Sequence, residues 1–178
     1  MADALGDPTP RASGRLTLNP IAHLDPIGTL MLLIFRFGWA KPVPINPMYF
    51  DDRQRGMLLT GLAGPLSNFV MATVSAYLLL QLQFLSTTVL VMLYFLMMYN
   101  IWLGLFNLIP IPPLDGSHIA RGLTRYGSTA WHLMNQIDQY GWVILLVLVM
   151  TRTVGMILGP VANVVQQFLF VLVSPLVF

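Results

Sequence analysis

The chain has 178 residues, 56% hydrophobic and 9% charged, with nine basic and seven acidic side chains and a net charge of +2. Soluble domains usually carry about a quarter charged residues, so an ordinary globular protein is excluded. The abundance of Leu, Val, Ile, Phe and Met excludes disorder, and the absence of cysteine excludes disulfides, cysteine-held metals and a thiol nucleophile. What remains is an all-α polytopic membrane protein, a single membrane-embedded domain over residues 1–178, with the lipid bilayer as partner and no nucleic-acid patch. All seven acids (Asp3, Asp7, Asp25, Asp51, Asp52, Asp115, Asp138) are aspartates, so there is no glutamate.

Residues 1–26 are polar and turn-rich, with Asp7-Pro8, Ser13-Gly14, Asn19-Pro20 and Asp25-Pro26, and lack the apolar core of a signal peptide. Residues 27–39 form a short apolar stretch interrupted by Arg36 and Gly38. It is too short for a hydrocarbon core of about 30 Å, so a re-entrant or interfacial segment is expected. A polar loop with Lys41, Pro42, Pro44, Pro47, Asp51, Asp52, Arg53 and Arg55 follows. Spans are then expected at 57–82 and 88–109, joined by a short uncharged hairpin. Gly61, Gly64, Pro65, Ser67 and Asn68 crowd the first half of the first span, where small residues allow close helix approach. After Pro110, Pro112 and Pro113 comes a charged stretch with Asp115, Arg121, Arg125 and Asp138. A third span is expected at 141–158 with Arg152 snorkelling to an interface, then a break at Gly159-Pro160 and a last apolar segment at 161–178. Three to four transmembrane helices plus the short segment result.

Two crossings separate the basic loop at 41–55 from Arg121 and Arg125, so both lie on one face. The positive-inside rule makes that face cytoplasmic, as in a multi-pass protein of a bacterial-type cytoplasmic membrane.

The segment from Asn107 to Gly116 carries the chemistry. Three prolines stop a span and hold the chain extended at the membrane boundary, and Asp115-Gly116 follows immediately. Taken alone, these residues allow two readings. One is an ordinary Asp-Gly turn after a proline stop. The other is a carboxylate metal ligand or proton-handling group beside an intramembrane cavity, where ionisable groups are functional by default.

Asn107, Pro110, Pro113, Asp115 and Gly116 resemble the second signature of the site-2 protease family of intramembrane zinc metalloproteases. Further blocks stand in that family's order: Leu5-Gly6-Asp7-Pro8-Thr9, Gly14-Arg15-Leu16-Thr17-Leu18-Asn19-Pro20, His23, Asp25-Pro26, Gly38-Trp39-Ala40-Lys41-Pro42-Val43-Pro44 and Gly64-Pro65-Leu66-Ser67-Asn68. The resemblance implies peptide-bond hydrolysis of transmembrane protein substrates, with Asp115 as a Zn2+ ligand beside two histidines of an upstream His-Glu-x-x-His helix. It also implies that Asn68 and Asn107 lie near the active site, holding a substrate backbone or oxyanion. Bonding between helices explains the two amides equally well.

The chain departs from that family at one decisive place. It has no His-Glu-x-x-His, and its three histidines, His23, His118 and His132, offer no i,i+4 pair. By the family's order Met1 falls just after the second missing histidine. The expectation is therefore a catalytic site without its histidines and general base, with zinc held only if those histidines are supplied and no hydrolysis by the chain as given. The alternative is a non-catalytic membrane protein that binds transmembrane helices. His23 reads as a turn histidine, and His118 as an interfacial one three residues beyond Asp115.

Overall fold

The computed structural model describes residues 1–35, 38–125 and 127–176, so Arg36, named above as an interruption, lies outside the described residues. Contacts divide the chain into two compact units, Met1–Met57 and Leu58–Phe178.

The first unit is built from turns and two short helices, α1 (Thr9–Ala12) and α2 (Pro26–Phe35). Its small core is Ala2, Phe50 and Met57, with Leu5 and Ile45 packed against it. Asp7 is fully buried there. Its carboxylate accepts hydrogen bonds from the backbone and hydroxyl of Thr9 and, at 2.8 Å, from the backbone N–H of Asn46. One aspartate thus ties the N-terminal turns to a loop 39 residues away. The Asn46 side chain in turn accepts from Met48. Leu24 and Ala40 form an antiparallel bridge, and Gly28 lies so close to the Trp39 carbonyl that a Cβ would stand 2.1 Å from it. Helix α2 has ten residues, about 15 Å, and cannot span. Ile27, Leu30 and Leu33 are exposed on it.

Helix α3 (Arg53–Gln81) leads into the second unit, which continues with α4 (Thr87–Asn107), α5 (Asp115–Leu123), α6 (Thr129–Met150) and α7 (Thr153–Val173). Four of these, α3, α4, α6 and α7, are long and apolar enough to cross a membrane. Their core follows helical spacing: Ala72 and Ala76 of α3, Met97, Ile101 and Leu105 of α4, and Leu158, Ala162, Leu169 and Val173 of α7. Gly104 of α4 makes room for the Phe69 ring of α3, and the small Ala72 and Ala76 of α3 join the same core.

The expected spans at 57–82 and 88–109 correspond to α3 and α4. The C-terminal third differs. Instead of a span at 141–158, a break at 159–160 and a segment at 161–178, the helices run Thr129–Met150 and Thr153–Val173. Ser128 starts α6 by accepting the Trp131 N–H on its side chain, and Arg152, at φ 58°, turns the chain between α6 and α7. Pro160 lies inside α7, where its missing N–H forfeits one helical hydrogen bond.

Candidate metal-ligand site at Asp115

Asp115 is the first residue of α5, where a carboxylate is favoured by the unsatisfied N–H groups of the helix start. The Pro110–Pro113 segment between α4 and α5, with a cis Pro112–Pro113 peptide, delivers it there. Gly116 is buried against the Leu108 and Ile109 carbonyls, each 2.4 Å from where a Cβ would stand. Only glycine fits at that position.

Two glycines of α3 make the other wall. A Cβ on Gly64 would stand 2.1 Å from the Asp115 Oδ2, and one on Gly61 would meet the Asp115 carbonyl, the His118 Cβ and the Ile119 nitrogen within 2.9 Å. The carboxylate therefore lies in a notch that exists because residue 64 has no side chain. Burial alone acts on it and raises its pKa above the ordinary carboxylate value.

Asn68 lies one turn beyond Gly64 along α3, on the same face, and is half-buried. Asn107 is the last residue of α4, also half-buried. Asn68 thus shares the α3 face that bears the Asp115 notch, and among the described residues no hydrogen bond joins Asn68 or Asn107 to Asp115. His118 follows Asp115 by one turn, and its Nδ1 is buried with no hydrogen-bond partner. Desolvation, with the Arg121 charge second, lowers its pKa. His23 bonds the Thr17 carbonyl at 2.9 Å, a turn contact in the first unit.

A catalytic zinc site uses three protein ligands. Among the described residues no group of three His, Cys, Asp or Glu is placed to hold a metal. Asp115 and the orphaned nitrogen of His118 leave the set short, so these residues do not fit a catalytic zinc by themselves. The sequence marks Gly64 as a small residue inside a span and as the start of the Gly64-Pro65-Leu66-Ser67-Asn68 block, but not as the wall of a notch for Asp115.

Residues 83–151 match the profile of Peptidase family M50. The chain is 39% identical over 171 residues to "Putative zinc metalloprotease YwhC" of Bacillus subtilis, covering 92% of this chain and 77% of that protein. It is 37% identical over 91 residues to "Zinc metalloprotease MJ0392" of Methanocaldococcus jannaschii, covering 48% of this chain and 26% of that protein. No solved structure matches it significantly.

Proposed function

This chain belongs to peptidase family M50, the site-2 protease family, and on that premise we propose that it forms the carboxylate-bearing part of an intramembrane zinc metalloprotease that cuts transmembrane protein substrates. It is an integral membrane protein, in our reading of a bacterial-type cytoplasmic membrane. Asp115 supplies one zinc ligand, and the amides of Asn68 and Asn107 hold the substrate backbone. The other two ligands and the general base are not among these 178 residues. The 178-residue chain alone accordingly binds zinc substoichiometrically and hydrolyses nothing.

One observation carries this reading: the Asp115 carboxylate sits partly desolvated in a notch cut by Gly64. A turn aspartate has no need of such a notch. A second reading, a non-catalytic protein that binds transmembrane helices, is favoured by the absence of glutamate and of any i,i+4 histidine pair.

The test expresses the protein from its own locus, with the adjoining coding sequence intact, beside a tagged single-span substrate. Asp115→Asn is expected to lower cleavage by at least about 100-fold at unchanged membrane insertion. Asp51→Asn and Asp52→Asn, at exposed loop positions, leave cleavage unchanged. Wild-type cleavage by Asp115→Asn would remove Asp115 from the metal site, and no cleavage by any form would favour the non-catalytic reading. Stoichiometric zinc in the purified 178-residue chain would overturn the incomplete ligand set.

A further inference from the structure

Three of the contacts on α5, the helix that begins with Asp115, bear on how it is seated. Gly61 and Gly64 of α3 hold one side, and Gly116 rests on the Leu108 and Ile109 carbonyls. The third contact is of another kind. Arg121, in the last turn of α5, pairs with Asp138 of α6, and its guanidinium also donates to the Asn135 side-chain oxygen at 3.4 Å.

This ion pair differs from the other two that the described residues form. Arg11–Asp3 and Arg55–Asp52 join near neighbours in sequence through largely exposed arginines. Such pairs are worth little. Arg121 and Asp138 join two helices, with side chains only 25% and 37% exposed. Asp138 also lies in the first half of a helix apolar enough to span, where a carboxylate is costly without a partner.

The surrounding packing shows what the pair restrains. One turn beyond Asp138, Gly141 closes on the Pro112 carbonyl, which would stand 2.5 Å from its Cβ. Between these two contacts lies a gap with room for about one water, lined by Pro110, Pro112, Ser117 and Met134 and rimmed by the ion pair. On the α6 side of α5 the ion pair therefore acts beside this gap, together with the bond from the Thr124 hydroxyl to the Met134 sulfur at 3.6 Å. Arg121 lies six residues from Asp115, about 9 Å along the helix, so the pair acts on the orientation of α5 and not on the carboxylate directly.

We infer that Asp138 is a positioning residue for the Asp115 site: through Arg121, with Asn135 as a second hold, it locks α5 against α6 so that the carboxylate stays seated at Gly64. The catalytic arm of this inference rests on the proteolytic reading above; the structural arm does not.

The chain is free of cysteine, so Asp115→Cys introduces a single thiol whose alkylation rate in membranes reports how firmly α5 is seated. Adding Asp138→Asn is expected to speed alkylation about tenfold, and the exchanged pair Arg121→Asp with Asp138→Arg to return it to within about twofold of the parent. An unchanged rate in inserted Asp138→Asn would overturn the inference. So would an exchanged pair that labels as fast as Arg121→Ala, and this comparison still decides if Asp138→Asn fails to insert. In the locus-expressed protein carrying Asp115, Asp138→Asn is expected to lower kcat about 100-fold at little-changed KM, with Asp138→Glu recovering part of it. Faster alkylation with an unchanged kcat would overturn the positioning role. Faster alkylation with no cleavage even by the wild type would leave the helix lock standing and overturn the proteolytic reading instead.

Discussion

Asp7 and Asp115 are both aspartates drawn out of water, and their neighbours push them in opposite directions. Burial pushes the Asp7 pKa up most strongly of any single cause, but hydrogen bonds from Thr9 and Asn46 together outweigh it and hold the group below the ordinary value of 3.8. Asp115 has burial alone acting on it and is raised. The difference is one of partners: Asp7 is satisfied as an anion and staples backbone, whereas no hydrogen bond from the described residues reaches the Asp115 carboxylate. For Asp7 the linkage has a definite sign. A carboxylate depressed on folding stabilises the fold above its unfolded pKa and loses that contribution as pH falls through the folded one. Protection of the Thr9 and Asn46 amides against hydrogen exchange is therefore expected to persist at neutral pH and to fail only in acid, below the ordinary carboxylate value of 3.8. Asp7→Asn, which keeps the shape but not the charge, should weaken the first unit by about 2 kcal/mol and make that protection insensitive to pH in the same range. Loss of protection at equal pH in both forms would refute the assignment.

At the scale of elements, α5 depends on two glycines of α3, and this separates site from scaffold. In a helix interior Ala is better than Gly by about 1 kcal/mol, so Gly64→Ala does not weaken α3 as a helix. Its Cβ, however, would stand 2.1 Å from the Asp115 Oδ2, and the carboxylate must move. The expected outcome is normal insertion of the locus-expressed protein with cleavage reduced about 100-fold; equal cleavage would mean that the notch has no bearing on the site. The sequence revealed elements unevenly, for physical reasons. Helices α3 and α4 were legible because twenty or more apolar residues in a row are a local property of the chain. The first half of α6 was not. The stretch before residue 141 reads as a charged segment that includes Asp138, whereas the Ser128 cap starts a helix there and the Arg121–Asp138 pair neutralises its charge. Pro160 misled in the opposite direction, because a proline that ends a helix in water can be carried inside one in lipid. The prolines and glycine around Asp115 leave it open between a turn and a ligand, and only the family resemblance singles it out, whereas its seat at Gly64, 51 residues earlier, is a tertiary fact.

For the whole molecule, four helices apolar enough to span and a chain poor in charge require that the few charges decide orientation. Helix α3 carries the chain from the side of Arg53 and Arg55 to the 82–86 loop, and α4 returns it to the side of Arg121 and Arg125. Helix α6 then leads to the turn at Thr151 and Arg152, and α7 comes back. Counted by loops, four of the arginines stand on one side against Arg152 alone on the other, and the positive-inside rule makes the richer side cytoplasmic. Asp115 lies just beyond the end of α4, so on this count the carboxylate is expected at the cytoplasmic boundary of the bilayer. Single cysteines test this directly, since none occurs in the chain. Phe84→Cys and Thr151→Cys are expected to react with an impermeant maleimide from the outer face of intact cells. Leu123→Cys, strongly exposed at the end of α5, is expected to react only after the membrane is opened. Reaction of positions 84 and 123 from the same face would break the α3–α4 hairpin. Reaction of 84 and 151 from opposite faces would mean that α6 does not cross, leaving Asp138 and its bond to Arg121 in water, where an ion pair contributes little. The labelling pattern therefore also decides whether the lock on α5 works in a setting where charge pairing is strong.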